Sequence, residues 1–408
     1  MDFALPFASE FGSLGLLFLA SIGGGYVAKG LRMPPLLGML LGGIAVQNLP
    51  GNLLEGLPGS WSVALRLAAL AVILLRAGLG LDIPALIDLR ANLLRLAVLP
   101  NITEAVTVAM AAVILLDLPL VWGLLLGFVI SAVSPAVVVP SMLGLQEKGY
   151  GVAKGIPTMV LAASSFDDVI SITGFGVTLS LIFAGRGEGG VAETLLRAPV
   201  ELVAGLGFGV LAGLLCLAVG RAPAWLRFVV LSALGLVAIF GGWALGFTGG
   251  GSLATMTMGA VAGRGWRDAS IPIAMAMGRV WSVAQPILFG LIGAAVILAA
   301  VESAYISRGL VILALGLTVR LLVTYLSTER GRFTTGERLF VAAAWIPKAT
   351  VQAAVGALAL DLARQYETGP QSETYGTQVV TIAVLAIIVT APLGAIAIAW
   401  AGPRWLSR

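Results

Sequence analysis

Two adjacent acids, Asp167 and Asp168, stand in the middle of a long apolar stretch. A charged side chain at the centre of a bilayer costs about 2.5–3.5 kcal/mol on insertion scales, so such residues pair with a partner or line a wet cavity. Two neighbouring carboxylates cannot both carry full charge cheaply. One of them is therefore suited to hold a proton and to trade it for a cation, and carboxylate and hydroxyl oxygens are the hard ligands that an alkali cation prefers. Successive helical residues point about 100° apart, so the pair cannot share a direction. One acid can meet a cation on a neighbouring helix while the other faces a cavity. Ser164 lies one turn before Asp168, and Ser171 one turn after Asp167, on the corresponding faces.

Three further charges fall near mid-depth of other apolar runs: Glu104, Arg320 and Lys348. Glu104 and Arg320 read as an interhelical ion pair. Arg66 and Arg76 lie nearer the ends of their run and are expected to snorkel to the interface. Prolines interrupt two runs at the same depth, at Ser134-Pro135 and at Ile346-Pro347-Lys348. Proline removes a backbone donor and bends or breaks a helix. Broken backbone at that depth is tolerated only inside protein or beside a cavity, and transporters use such helices in pairs, one in each half of an inverted repeat. Pro135 and Pro347 are 212 residues apart, and Glu104 and Arg320 are 216 apart. An odd number of spans separates the members of each pair, so the two halves are expected in opposite membrane orientation. Lys348 stands at its break, where its ammonium can offset the freed carbonyls or pair with an aspartate. As a moveable counter-charge, its expected partner is Asp167.

The elements that must position these residues are membrane helices. Of the 408 residues 59% are hydrophobic and 11% charged, against about 45–50% and about 25% in soluble domains. That balance excludes a soluble enzyme, and a net charge of +4 spread over the chain makes no nucleic-acid patch. Thirteen apolar runs, from 11–29 to 377–400, predict an all-α polytopic membrane protein of about 13 transmembrane helices. The 53 glycines fit helices that approach closely. The chain has no histidine and one cysteine, Cys216, so neither a disulfide nor a cysteine or histidine metal site is expected, and no cofactor. Basic residues such as Lys29, Arg32, Lys148, Lys154, Arg330, Arg332, Arg404 and Arg408 gather in alternate loops, while the opposite loops hold Arg186, Arg197, Arg308 and Arg364. The positive-inside rule then places the N-terminus outside and the C-terminus in the cytoplasm. Met1–Glu10 lacks the basic start of a signal peptide, so no cleaved segment is expected.

Three motifs in order, Val133-Ser-Pro-Ala-Val-Val-Val-Pro140, Phe166-Asp-Asp-Val169 and Trp345-Ile-Pro-Lys-Ala-Thr-Val-Gln-Ala-Ala354, resemble the monovalent cation:proton antiporter superfamily. The likeness is nearest to its double-aspartate sodium/proton exchanger branch, which holds bacterial relatives of a mammalian sodium(lithium)/proton subfamily. The resemblance implies an inverted repeat with two crossed broken helices, and a homodimer in the inner (plasma) membrane. It implies a core domain over about 61–183 and 277–400 and a dimerisation domain over about 11–49 and 195–263. It makes Asp168 the main carboxylate for Na⁺ or Li⁺ and protons, Asp167 its partner and salt-bridge acceptor, and Glu104–Arg320 an ion pair. Ser134, Ser164 and Lys348 would support the ion site, with the breaks at Pro135 and Pro347. Ser134 stands where other branches carry an acidic or asparagine residue. Arg320 stands where some electrogenic members carry lysine, and an arginine cannot release its proton, which favours electroneutral exchange. The expected function is secondary antiport by alternating access, not enzyme catalysis. The alternatives are K⁺/H⁺ antiport and a sodium-coupled carrier of organic solutes.

Overall fold

The computed structural model describes residues 8–31, 33–51, 53–80, 90–183, 191–245, 247–297, 303–328, 332–366 and 368–408. Of the charged loop residues used for orientation, Arg32, Arg186 and Arg330 lie outside these. Each of the thirteen apolar runs falls on one helix or on two half-helices. The elements are α1 (Ala8–Gly30), α2 (Pro35–Asn48), α3 (Gly59–Leu79), α4 (Arg90–Leu116), α5 (Leu120–Ser131), α6 (Pro135–Glu147), α7 (Ile156–Phe183) and α8 (Val191–Ala218). They continue with α9 (Ala224–Ala244), α10 (Thr248–Trp266), α11 (Ile271–Ala294), α12 (Ser303–Ser327), α13 (Thr335–Ala344), α14 (Thr350–Val355), α15 (Leu358–Gln365) and α16 (Pro370–Trp405). Among the described residues, α1, α3, α4, α7, α9, α11, α12 and α16 are each long and apolar enough to cross a membrane unaided. Large apolar side chains such as Leu19, Ile114, Val203 and Leu211 stay exposed on the outside of the bundle, as a lipid-facing surface requires.

Local chemistry explains where these helices begin and stop. Pro35, Pro135 and Pro370 occupy first-turn positions, where the missing N–H costs nothing. α13 opens with a reciprocal cap: Glu337 N donates to Thr334 Oγ1 at 3.3 Å and Thr334 N donates to Glu337 Oε2 at 2.7 Å. Glu337 also accepts from Lys154 Nζ at 2.8 Å. Gly151 N donates to Ser407 O at 2.7 Å, and Arg408 donates to the Tyr150 hydroxyl at 3.0 Å. These bonds bring the α6–α7 loop, the start of α13 and the chain end onto one face of the bundle.

The two broken helices follow from their prolines. α5 stops at Ser131, and Ala132 (φ −66°, ψ 136°) and Ser134 (φ −90°, ψ 107°) run extended into Pro135. Ring sterics push the residue before proline out of the helical region. α13 stops at Ala344 and α14 starts again at Thr350, leaving Trp345-Ile-Pro-Lys-Ala as the gap.

The helices pack in two groups. α4 lies along α12 and α5, α7 against α5, and α13 and α14 against α16. On the other side α1 packs on α2, α2 on α11, α8 on α10, and α3 on α10 and α11. Glycine lets the second group close up backbone to backbone. A methyl placed on Gly24 would lie 2.1 Å from the Gly38 carbonyl oxygen, and one on Gly43 would lie 2.1 Å from that of Gly290. The groups meet where α7 touches α10 and where α3 runs beside α14.

Candidate functional site

The two gaps cross at the centre of the first group, and each must satisfy the backbone groups that its missing turns set free. Ser134 N donates to Pro347 O at 2.8 Å, so one gap is hydrogen-bonded to the other. The Gln352 amide nitrogen donates to Val129 O at 2.8 Å and to Ala132 O at 3.0 Å, at the carbonyl end of α5. Lys348 N donates to Thr390 Oγ1 of α16 at 3.0 Å. The hydroxyls of Ser134 and Thr350 lie 3.0 Å apart. Val133 N donates to Asp167 Oδ2 at 2.9 Å, which fastens the α5–α6 gap to α7.

Four buried charges alternate in sign across this crossing. Arg320 Nη2 meets Asp167 Oδ1 at 2.7 Å, and its Nη1 meets Glu104 Oε2 at 2.6 Å and also the Ser131 carbonyl. Lys348 Nζ meets the same Glu104 Oε2 at 2.8 Å. All four side chains are sealed from solvent. Taking such ions out of water costs several kcal/mol each, and only close pairing with extra hydrogen bonds offsets that. The array Asp167–Arg320–Glu104–Lys348 supplies both, and it links α7, α12, α4 and the α13–α14 gap.

This geometry extends one expectation and corrects two others. Arg320 reaches Glu104 but also takes Asp167, so it is a bridge rather than half of a pair. Lys348 does not meet Asp167 here; its ammonium rests on Glu104, because Arg320 and Val133 N already occupy the Asp167 oxygens. Arg66 does not snorkel. It is buried, and its guanidinium is ion-paired with the partly exposed Asp361 on α15, which folds back against α3.

Asp168 is placed differently from its neighbour. Its side chain is buried, yet Oδ1 has no hydrogen-bond partner among the described residues. It lines a cavity of about 10 Å³ with Leu70, Ile73, Leu74 and Ala77 of α3, Ile172 of α7, and Thr350 and Val351 of α14. That is room for about one water-sized guest. A neutralised carboxylate and an unpartnered one therefore stand side by side, the second facing the seam between the two helix groups. Such a carboxylate can take either a proton or a small cation. Thr350 ties the cavity to the crossing through its contact with Ser134. Ser164 does not reach Asp168; its hydroxyl bonds back to Leu161 O at 3.0 Å.

Sequence reasoning names Ser134, Ser164 and Ser171 but passes over Asn101, Ser131, Thr350 and Gln352 near the acids. Asn101 Nδ2 donates to Asp167 O at 3.1 Å and to Ser171 Oγ at 2.7 Å. The Ser131 and Ser171 hydroxyls are 3.0 Å apart. Asn101 could have been found, since it precedes Glu104 by three residues and shares its helix face. Gln352 and Thr350 carried no local sign beyond lying inside a quoted motif.

Comparison with known proteins places the whole chain among transport proteins. The family described as "Sodium/hydrogen exchanger, transmembrane" matches residues 16–402. Sodium/hydrogen exchanger 9B2 of Xenopus tropicalis is 42% identical over 99% of this chain and 76% of its own length. Human sodium/hydrogen exchanger 9B1 is 41% identical over 99% of this chain and 80% of its own. Among solved structures, the sodium proton antiporter MjNhaP1 of Methanocaldococcus jannaschii superposes with a TM-score of 0.75, at 18% identity and covering 98% of both chains.

Proposed function

We propose, since this chain belongs to the sodium/hydrogen exchanger family, a division of labour for its exchange of Na⁺ for protons across the membrane. Asp168 is the carboxylate that carries the exchanged ion. Asp167 is its fixed neighbour, held by Arg320 and by Val133 N, and it keeps the local field negative without leaving its post. One observation carries this assignment: of two adjacent buried acids, Asp167 has both oxygens bonded while Asp168 Oδ1 has no partner and faces a cavity. Proton and Na⁺ compete for that oxygen. Ser134 and Thr350 lie within the crossing to offer hydroxyl oxygens, and Lys348 and Arg320 balance the acids around it.

A charge count supports one-for-one exchange. Glu104, Asp167 and Asp168 face Arg320 and Lys348, which leaves one anion in surplus, and a single Na⁺, Li⁺ or proton at Asp168 balances it. The array gives no reason to prefer K⁺, and the cavity that Asp168 lines, about 10 Å³, is too small for an organic solute. The packing of α3 on α10 and α11, and of α11 on α2, supports drawing the moving core as α4–α7 and α12–α16. On that division α3 and α11 stand with the scaffold, not with the core where the sequence reading put them. The scaffold would carry the contacts of a homodimer. The basic residues of the α6–α7 loop and the chain end, which share one face, support a cytoplasmic C-terminus, and exchange of Na⁺ for protons fits a role in pH homeostasis at the plasma membrane.

The test is reconstitution into vesicles with an imposed pH gradient, following internal pH as Na⁺ or Li⁺ is added. Asp168→Asn keeps the shape but cannot hold a proton, so cation-driven proton movement should vanish while the protein stays folded. Wild-type exchange in that variant would remove Asp168 from the mechanism.

A further inference from the structure

The carbonyl end of α5 lies buried at the crossing, and two donors meet it. Arg320 takes the Ser131 carbonyl. Gln352, from the other broken helix, takes Val129 O and Ala132 O with one amide nitrogen, and a third carbonyl, Ile130 O, lies 3.4 Å away. Only the nitrogen of the amide can face three carbonyl oxygens, so the orientation of the group is fixed by chemistry. The side chain is completely buried, and its oxygen, Oε1, has no partner among the described residues. A half-helix that ends inside a membrane presents a partial negative charge. A cation would offset that end too, but it would also cancel the one surplus negative charge that attracts Na⁺ to Asp168.

We propose that Gln352 is a positioning residue for ion exchange: its uncharged amide ties the carbonyl end of α5 to α14, and so holds Val133 N on Asp167 and Thr350 on the cavity wall. The chain of contacts is short. Val129 and Ala132 flank the turn whose next residue, Val133, donates to Asp167 Oδ2. Thr350 and Val351, which line the Asp168 cavity, immediately precede Gln352 on α14. Loosening Gln352 therefore moves both the support of Asp167 and one wall of the ion pocket. This role rests on the reading of Asp168 as carrier.

The experiment compares wild type, Gln352→Glu, Gln352→Met and Asp168→Asn in vesicles, measuring KM for Na⁺ and maximal rate across pH, with thermal stability at each pH. Glutamic acid matches glutamine in shape, and when protonated it keeps one donor for the α5 carbonyls. When ionised it is an acceptor only. Gln352→Glu should therefore regain near wild-type KM toward acid pH and lose it toward alkaline pH, by on the order of tenfold for the lost buried hydrogen bonds. Gln352→Met has no donor at any pH, so its KM should be raised at all pH values, with the maximal rate changed less. A folded Gln352→Met with wild-type KM at every pH overturns the proposal. So does a fall in stability with KM unmoved, which is all that a purely structural role predicts. If Asp168→Asn still exchanges ions, the carrier reading itself fails; if it is inactive while both Gln352 variants behave as wild type, only the positioning role fails.

Discussion

Replacing Glu104 by Gln isolates the charge at the hub of the buried array. Glu104 Oε2 accepts from both Arg320 and Lys348, while Oε1 has no partner. The glutamine nitrogen can take the Oε1 position, leaving the other oxygen to accept from both cations. What is lost is the carboxylate that Lys348 touches, so that its ammonium is left buried without a paired anion while Arg320 keeps Asp167. An uncompensated buried charge costs about 3–5 kcal/mol. With an unfolding entropy of about 2.1 cal/mol/K per residue, roughly 0.9 kcal/mol/K for the 408 residues, that loss lowers Tm by about 3–6 °C. Double replacements then tell the two cations apart. Glu104→Gln with Lys348→Gln leaves Arg320 in direct contact with Asp167 and the Ser131 carbonyl, a balanced and hydrogen-bonded pair. Glu104→Gln with Arg320→Gln leaves Lys348 without the carboxylate that it touches, and Asp167 without its guanidinium. The first double variant should recover most of the lost Tm and the second little of it, read by thermal unfolding of the purified protein. Equal recovery in the two, or strict additivity in both, would refute the array as drawn.

Competition at one carboxylate makes the acid limb of activity depend on the cation. Exchange should fall as pH drops, and a tenfold rise in Na⁺ well above its KM should move the half-activity point down by about one pH unit; a half-activity pH that ignores Na⁺ would place the proton sensor elsewhere. The Arg66–Asp361 pair should respond asymmetrically, because Arg66 is buried while Asp361 is partly exposed and also faces Arg364. Asp361→Asn strands the arginine and should lower Tm by several degrees, whereas Arg66→Met should lower it less; the reverse order would mean that Arg66 reaches water.

What was legible in the sequence was whatever is costly in a membrane. Charge and proline at mid-depth are rare, so Asp167, Asp168, Glu104, Arg320, Lys348, Pro135 and Pro347 stand out from the sequence, and offsets that agree to within four residues pair Pro135 with Pro347 and Glu104 with Arg320. The partners were not legible, because choosing among buried charges needs distances that depth along separate helices does not supply. Lys348 was matched with Asp167 by depth, yet Arg320 and Val133 N had already used the Asp167 oxygens. Arg66 was assigned by distance from its own helix end, which ignores that α15 folds back to meet it. Asn101, Ser131 and Gln352 are uncharged, and such residues are common enough in membrane helices to pass unnoticed until the crossing brings them together.

The close approach of α1, α2 and α11 has a consequence for how the bilayer acts on this protein. Where Gly24 meets Gly38 and Gly43 meets Gly290, main chain touches main chain with no side chains between. Such a joint has nothing to swell and no crevice that an acyl tail could enter. Lateral pressure, bilayer thickness or detergent can therefore press on this half only as on a solid block. The junction of α3 with α7 and α14 is different: it is lined by side chains and holds the cavity that Asp168 faces. Under stress from the lipid that junction should yield first, so the rate of exchange in vesicles is expected to vary with bilayer thickness while the α1–α2–α11 packing stays the same.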